Sequence, residues 1–245
     1  MKFLVFQHIA AEHPGVFRQF MRREGIAWDV VALNEGAPIP ELSLYDALLI
    51  FGGPMDVWQE AEHPWLIAEK AAVREFVNDL RRPFLGICLG HQLLADALGG
   101  RVGLMTEPEV GVGPLHLTEA ARRDPLFCGM TDPMTALQWH GAEVKKMPDN
   151  AVLLAHNQTC PIQAMRLCDH AYGLQYHVEI EERTISEWGR IPVYRQALER
   201  LKGPDAQLRF EQDALTNMSV LRGIAETLFN NFCILAVECR QQRKR

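Results

Sequence analysis

Residues 1–98 alternate short apolar runs with segments of helical spacing, and this alternation restricts the fold more than any other feature. The apolar runs predict strands at 2–7, 27–33, 46–51 and 83–87, and helical spacing predicts helices at 14–23, 63–80 and 92–98. Strands that alternate with helices in this way form an open parallel sheet with helices on both faces. We therefore predict an α/β fold whose ligands bind beyond the carboxyl ends of the strands.

The middle of the chain changes character and predicts antiparallel strands that extend the sheet. Short strands with turns between them are predicted at 111–117, 135–139, 151–155 and 162–166, and a last strand at 171–179. From residue 180 onward the chain is mostly helical. A helix predicted at 213–239 has an apolar stripe that we expect to pack on the core.

Residues 83–92, Pro-Phe-Leu-Gly-Ile-Cys-Leu-Gly-His-Gln, are typical of a buried strand, a tight turn and a helix start. Gly86 and Gly90 bracket Cys88, and such small residues let the backbone bend sharply and let a substrate come close. A cysteine at this turn resembles a nucleophile elbow, and the helix start favours its thiolate. Because a single cysteine is usually a buried structural residue, this segment alone leaves both interpretations open.

A cysteine nucleophile needs a base within hydrogen-bond reach, and the base needs an acceptor that orients it. His177 and Glu179 lie at the end of the last predicted strand. Since alternate residues of an extended segment face the same side, the imidazole and the carboxylate would lie side by side. A lone histidine on a strand is usually structural, but next to a carboxylate in a chain with an elbow it is a candidate base.

Attack on a carbonyl also requires backbone N–H groups that stabilise the oxyanion. Leu89, directly after Cys88, would provide one donor at the helix start. The Gly-Gly-Pro sequence at 52–54, after the third predicted strand, would provide the second, although by itself it is more often only a turn. Together with His177 these features predict acyl transfer through a thioester: Cys88 attacks a carbonyl or carboxamide, and His177 protonates the leaving amine and then activates water.

Four short sequences follow one another along the chain: Phe-Gly-Gly-Pro at 51–54, Gly-Ile-Cys-Leu-Gly-His-Gln at 86–92, Gln-Trp-His-Gly at 138–141 and Gly-Leu-Gln-Tyr-His-Val-Glu at 173–179. With them the chain resembles the class I (triad) glutamine amidotransferases, and most of all the stand-alone proteins similar to the amidotransferase domain of GMP synthase. The elbow with a glutamine four residues after Cys88 is the most specific match. Val178 stands where the family usually has proline, for which we expect a backbone adjustment.

The resemblance implies a fold and a set of site residues. The fold would be a three-layer, flavodoxin-like α/β sandwich with a mostly parallel central sheet at 1–185, and a C-terminal helical extension at 186–245 packed on the same domain. Cys88 would be the nucleophile, His177 the base and Glu179 its orienting group. Gly53 and Leu89 would be the oxyanion donors. The residues that bind substrate, at the α-amino and carboxylate end of glutamine, would be Gly52, Gln92, Trp139, His140, Gly141 and Ala142.

Composition limits the partners. Hydrophobic residues make up 48%, charged residues 23%, and the net charge is −6, so we expect neither a nucleic-acid nor a membrane surface. We predict that no apolar run is long enough to span a membrane, and the N-terminus is too quickly polar for a signal peptide. The six cysteines match no zinc pattern, so we predict no metal, no cofactor and a reduced, cytoplasmic protein.

The sequence has no phosphate-binding loop, so it lacks the synthetase half that would consume ammonia. Three hypotheses remain. The protein hydrolyses glutamine and passes ammonia to a synthetase partner; or it acts alone as a hydrolase or peptidase on γ-glutamyl amines or peptides; or it is a catalytically inactive binding module. The third is the weakest because every triad position is filled, and the sequence does not separate the first two.

Overall fold

The structure, a computed structural model, describes residues 1–243, and within them one mixed sheet has nine strands. The strands are β1 (Lys2–Gln7), β2 (Ala27–Ala32), β3 (Ala47–Ile50), β4 (Phe84–Ile87), β5 (Arg101–Leu117), β6 (Met134–Lys146), β7 (Val152–His156), β8 (Ala164–Leu167) and β9 (Ala171–Leu174). The helices are α1 (Phe17–Arg23), α2 (Trp65–Arg74), α3 (Leu89–Ala97), α4 (Thr184–Trp188), α5 (Pro192–Lys202) and α6 (Ala206–Gln242).

The sheet is parallel on one side and antiparallel on the other. Its order is β2-β1-β3-β4-β9-β8-β7-β5-β6, and neighbouring strands from β2 to β9 are parallel. The carboxyl ends of β1, β3, β4 and β9 therefore meet at one edge. Pairing of Ile87 with Leu174 brings the segment after β9 directly beside the turn after β4. The predicted α/β architecture is confirmed, and this edge contains the site.

Alternate residues of β1 face two different apolar layers, which explains why its sequence is apolar throughout. Phe3 and Val5 pack in the layer that contains α1 and α6. Leu4 and Phe6 pack in the layer that contains α2 and α3. Full burial of one such side chain stabilises the fold by roughly 1.5–3 kcal/mol, so a strand buried on both faces is strongly held. The arrangement is a sheet between two helical layers, as predicted.

Three predicted strands have wrong boundaries in ways that matter for the site. β5 and β6 are far longer than 111–117 and 135–139 and form a long two-stranded arm with a register shift between Leu104 and Glu109. β9 ends at Leu174, so His177 and Glu179 lie beyond the strand rather than on it. The chain after Leu174 leaves the ladder, and His177 makes only an isolated bridge in which its N–H donates to the Leu137 carbonyl at 2.8 Å.

The C-terminal helices pack on the same core as the sheet. Phe229 and Phe232 of α6 are fully buried, and the Phe229 ring contacts Phe17 and Phe20 of α1. α6 begins at Ala206, earlier than the predicted residue 213. The domain boundary near residue 185 stays a prediction, and residues 244 and 245 of the predicted extension lie outside the described range.

By length and composition α6 could cross a membrane, which corrects the expectation that the chain has no such segment. It is the one helix of residues 1–243 that meets these criteria. A single helix of this kind is weak evidence for insertion, because core helices have similar lengths and compositions. Phe229 and Phe232 are fully buried against the sheet, so one face of α6 is part of the core.

Candidate active site

Cys88 lies at the turn between β4 and α3 with φ +53° and ψ −104°, a conformation that residues other than glycine rarely adopt. Its N–H donates to the Leu174 carbonyl at 2.8 Å, which ties the turn to β9. The flanking glycines permit this bend, since a Cβ at Gly86 would overlap the Gly90 carbonyl and one at Gly90 would overlap the Ile50 carbonyl. The thiol therefore stands at the helix start in the geometry of a nucleophile elbow.

His177 and Glu179 form a buried pair next to this turn. The Nδ1–H of His177 donates to Oε1 of Glu179 at 2.8 Å, and Oε2 of Glu179 accepts the Val178 N–H at 3.0 Å. The two side chains are 1% and 3% exposed, so water does not compete for the bond. The Trp188 ring lies edge-on to the imidazole with 4.5 Å between ring centroids. These contacts fix the ring and leave Nε2 for Cys88.

The charge state of His177 is set by its neighbours. Burial would lower the pKa of His177, but the charges of Glu179 and Cys88 and their hydrogen bonds outweigh it and raise that pKa well above 6.5. A raised pKa means that the imidazole readily takes up a proton. The geometry therefore suits a thiolate–imidazolium pair in which His177 accepts the proton of the thiol and returns it to a leaving group.

A cavity of about 220 Å³ opens directly over Cys88. Most of the residues predicted for the site line it, namely Gly53, Cys88, Leu89, Gln92, Trp139, His140, Gly141 and Ala142. Gly52 is not in the lining. Its carbonyl is hydrogen-bonded to Nδ1 of His8 at 2.8 Å, so it lies behind the Gly53 turn. The predicted role of Gly52 in binding substrate therefore has no support from this geometry.

Gln175 contacts the cysteine and was not predicted from the sequence. Its Nε2 lies 3.8 Å from Sγ of Cys88, and its Oε1 accepts from Nε2 of Gln92 at 3.2 Å. Gln92 also donates to the Ala142 carbonyl at 3.1 Å. Gln92 therefore links the elbow helix to Gln175 and to β6, in addition to lining the cavity. The alternation of Gln175, His177 and Glu179 is the signal that would have revealed it.

A second buried pair supports the glycine turn. Nε2 of His8 lies 3.0 Å from Oε1 of Glu69, and both side chains are fully buried. Burial would lower the pKa of His8, but the charge and hydrogen bond of Glu69 outweigh it and raise that pKa. A protonated His8 donates from both nitrogens, one to Glu69 and one to the Gly52 carbonyl. This holds the turn that carries the Gly53 N–H.

Glu12, His177 and Glu179 place one possible metal-binding atom each within 4.8 Å of one another. Mixed imidazole and carboxylate sets of this kind bind zinc. Here, however, Nδ1 of His177 and Oε1 of Glu179 already bond each other, so a metal would compete with that pair. The donor set fits the orientation of an imidazole better than the coordination of an ion.

Several curated proteins are similar to this chain. One is the glutamine amidotransferase-like protein YfeJ of Salmonella typhimurium, 34% identical over 70% of this chain and 73% of that protein. Another is a subunit of the glutamine-hydrolysing GMP synthase of Sulfolobus acidocaldarius, 30% identical over 62% of this chain and 77% of that protein. A third is gamma-glutamyl peptidase 3 of Arabidopsis thaliana, 25% identical over 74% of this chain and 75% of that protein.

A similar fold is found in a solved glutamine amidotransferase from Thermotoga maritima. Its TM-score is 0.84 and it is 26% identical, with 95% of this chain and 97% of that chain covered. The sheet order defines an α/β protein, and the buried His177–Glu179 pair lies beside the Cys88 turn at the carboxyl ends of its strands. The family model for glutamine amidotransferase class-I matches residues 16–187, and the chain belongs to this family. The resemblance noted in the sequence is thereby confirmed.

Proposed function

We propose that the protein hydrolyses the side-chain amide of glutamine, with Cys88 as nucleophile, His177 as base and Glu179 as the group that orients His177. The observation that carries the proposal is the buried His177–Glu179 pair. Its hydrogen bond uses Nδ1 of His177 and leaves Nε2 for Cys88, and Cys88 is among the groups that raise the pKa of His177. Membership in the class I glutamine amidotransferases supports the same chemistry.

In the proposed reaction the Cys88 thiolate attacks the carboxamide carbon, and the N–H groups of Leu89 and Gly53 stabilise the oxyanion. Protonated His177 gives its proton to the nitrogen, ammonia leaves, and a γ-glutamyl thioester remains on Cys88. His177 then takes a proton from water, the resulting hydroxide attacks the thioester, and glutamate is released as the proton returns to sulfur. Loss of one oxyanion donor typically costs about 2.7–4 kcal/mol of transition-state stabilisation.

The substrate would enter the cavity with its α-amino and carboxylate end toward Gln92 and residues 139–142. These residues lie inside β6 and line the cavity together with Cys88. Nδ1 of His140 is hydrogen-bonded to the Ala142 carbonyl at 3.1 Å, and pairing with β5 holds the backbone of this segment in one conformation. A fixed backbone is suited to recognising the charged end of an amino acid.

Covalent labelling tests the proposal most directly. Purified protein is incubated with a glutamine-mimicking electrophile, and the adduct is located by peptide mass spectrometry. We expect one adduct, on Cys88, in spite of the exposed thiols of Cys128 and Cys168. The His177→Asn variant should keep its fold and lose turnover. Absence of the Cys88 adduct, or full turnover in the variant, would contradict the assignment.

A second candidate is a γ-glutamyl hydrolase or peptidase that acts without a partner. It is favoured by a further cleft of about 620 Å³ that shares Pro54, Met55 and Val193 with the cavity over Cys88. That space suits a leaving group larger than ammonia. The similarity to gamma-glutamyl peptidase 3 supports the same reaction. Ammonia or amine release from glutamine, γ-glutamyl peptides and γ-glutamyl amines by the protein alone separates the two candidates.

Each candidate predicts a different setting for the reaction. Transfer of ammonia would require a synthetase partner, as the similarity to part of a GMP synthase suggests, and activity alone would then be weak. Hydrolysis of γ-glutamyl amines or peptides needs no partner and predicts full activity alone. All six cysteines are free thiols, which supports the further proposal of a reducing, cytoplasmic location.

A further inference from the structure

A second carboxylate lies beside the proposed triad. Glu12, in the loop between β1 and α1, is 3% exposed and has an oxygen within 4.8 Å of the ligand atoms of His177 and Glu179. Its Oε2 has no hydrogen-bond partner among residues 1–243. It also faces Gly52, where a Cβ would lie only 2.5 Å from this oxygen. Burial of a carboxylate oxygen without a hydrogen-bond partner costs folding free energy, and such groups often belong to functional sites.

The other oxygen of Glu12 is held by the C-terminal extension. The Tyr194 hydroxyl, on α5, donates to Oε1 of Glu12 at 2.7 Å. The Tyr194 ring lines the Cys88 cavity and packs 5.6 Å from the ring centroid of Trp139 and 6.3 Å from that of Trp188. Residue 194 lies beyond the matched family region 16–187. A side chain from outside that region thus reaches the site.

We propose that Glu12 and Tyr194 form a positioning pair: the Glu12 carboxylate stabilises the imidazolium of His177 opposite the Cys88 thiolate, and the Tyr194 hydroxyl holds that carboxylate in place. The inference rests on the proposed function, because it requires the Cys88–His177 ion pair. Neither Glu12 nor the Tyr194 hydroxyl touches a reacting atom, so both act through His177.

The groups around Glu12 account for its charge. The pKa of Glu12 is raised to about 6, mainly by burial. The charges of His177 and His8 and the Tyr194 hydrogen bond offset part of that rise, and the charge of Glu179 adds to it. His8 in turn is paired with Glu69 on its far side. At neutral pH the Glu12 carboxylate is therefore largely ionised and able to stabilise a cation. Below about pH 6 it takes up a proton and that stabilisation fades.

The test uses the full chain and follows alkylation of Cys88 by iodoacetamide between pH 5 and pH 10. Peptide mass spectrometry separates Cys88 from the other thiols. In Glu12→Gln we expect the pH midpoint of Cys88 alkylation to rise by about one unit. Loss of the Glu12 charge, within about 4–6 Å of His177, destabilises the imidazolium that pairs with the Cys88 thiolate, so the thiolate forms only at higher pH. Wild type and variant should converge below about pH 6, where Glu12 is protonated in the wild type.

Turnover on the best substrate gives the second readout. We expect kcat of Glu12→Gln to fall about tenfold while KM stays within about twofold, because the charge acts on the ion pair and not on bound substrate. Tyr194→Phe keeps the ring in the cavity and should show the same changes to a smaller extent. Tyr194→Phe also decides the question if Glu12→Gln does not fold.

Tyr45→Phe is the matched control. Tyr45 is also buried, and its hydroxyl donates to a carboxylate, Oδ2 of Asp29, at 2.6 Å. It precedes β3, at the opposite edge of the sheet from Cys88. Its removal should change neither the alkylation midpoint nor kcat.

Two results would overturn the inference. One is an alkylation midpoint and kcat in Glu12→Gln equal to those of Tyr45→Phe. The other is a rise in KM at constant kcat, which would show that the pair only shapes the cavity. An unreactive Cys88 and no turnover in the wild type would instead contradict the proposed function, and this inference with it.

Discussion

Cys88 combines a strained backbone with a buried charge network. Residues at positive φ outside glycine cost of order 1–3 kcal/mol and persist only where their surroundings enforce them. Here the enforcing contacts are the Leu174 carbonyl and the tight packing at Gly86 and Gly90. In this strained conformation the thiol of Cys88 faces both the cavity and His177, although the residue is only 8% exposed.

The His177–Glu179 pair makes a prediction about stability and pH. Because the folded state raises the pKa of His177 above 6.5, the imidazolium contributes stability that is complete below about pH 6.5 and lost as the pH rises through the raised value. In Glu179→Gln this contribution is removed. We therefore expect the loss of thermal stability relative to wild type to be largest near pH 6 and to shrink at alkaline pH.

The measurement is the unfolding temperature of both proteins from pH 6 to pH 10. Because His177 can release its proton, the cost should stay below the roughly 3–5 kcal/mol of removing one partner from a buried permanent ion pair. Glu226→Gln, which removes a carboxylate from an exposed pair with Arg23, should have a small and nearly pH-independent effect. A Glu179→Gln loss that is constant across this pH range would exclude His177 as its source.

At this scale the sequence predicted the residues that form local motifs. Cys88 lies between two glycines, and His177 and Glu179 are neighbours in the chain, so both patterns are visible in a short window. His8, Glu12 and Tyr194 have no such pattern. The hydrogen bond between Glu12 and Tyr194 joins residues 182 positions apart, and only the fold brings them together.

Among the elements, the strand–turn–helix unit around Cys88 tolerates no added volume. Gly90 packs against the Ile50 carbonyl of β3, and an added Cβ would overlap it. We expect Gly90→Ala to destabilise the protein by about 1–3 kcal/mol through overpacking and to slow alkylation of Cys88. Chemical denaturation and the alkylation rate measure the two effects.

Gly223→Ala is the control for this substitution. Gly223 lies inside α6, and apart from its chain neighbours and the adjacent helix backbone a Cβ there would meet no atom of the described residues within 4 Å. Alanine in a helix interior is favoured over glycine by roughly 0.5–1 kcal/mol, so Gly223→Ala should stabilise the protein. If both variants lost stability equally, the close packing at the elbow would not be the cause.

The strands show which elements a sequence pattern can predict. β1, β3 and β4 are buried on both faces, so their apolar runs stand out against the flanking residues. Before Gly111, β5 is ordered by pairing with β6 on both sides of a register shift between Leu104 and Glu109. Glu107, Pro108 and Glu109 interrupt the apolar pattern there, so the local sequence does not predict a strand. The predicted strand at 171–179 is longer than β9, which ends at Leu174. The alternation of polar and apolar residues continues past Leu174 because Gln175, His177 and Glu179 face the site.

In the whole molecule, the C-terminal extension closes the site that the sheet edge opens. Val193, Tyr194 and Ala197 of α5 line the Cys88 cavity together with residues 139–142 of β6. α6 fixes α5 through the core cluster that both share with Trp139 and Trp188. The proposed catalytic residues Cys88, His177 and Glu179 therefore precede these helices in the chain, whereas the shape of the cavity also depends on α5.

Val193 lies where the cavity over Cys88 meets the larger cleft beside it, and it is 51% exposed. In Val193→Trp the indole would fill this junction. If the second cleft holds the leaving group, turnover of γ-glutamyl peptides should fall about tenfold or more while turnover of glutamine changes little, because ammonia needs no space there. Val220→Trp, at a valine of α6 that is 52% exposed and lines neither cleft, should leave both reactions unchanged. An equal loss of turnover with glutamine and with peptides would show instead that residue 193 acts on the Cys88 side of the cavity. The second cleft would then have no role in holding a leaving group.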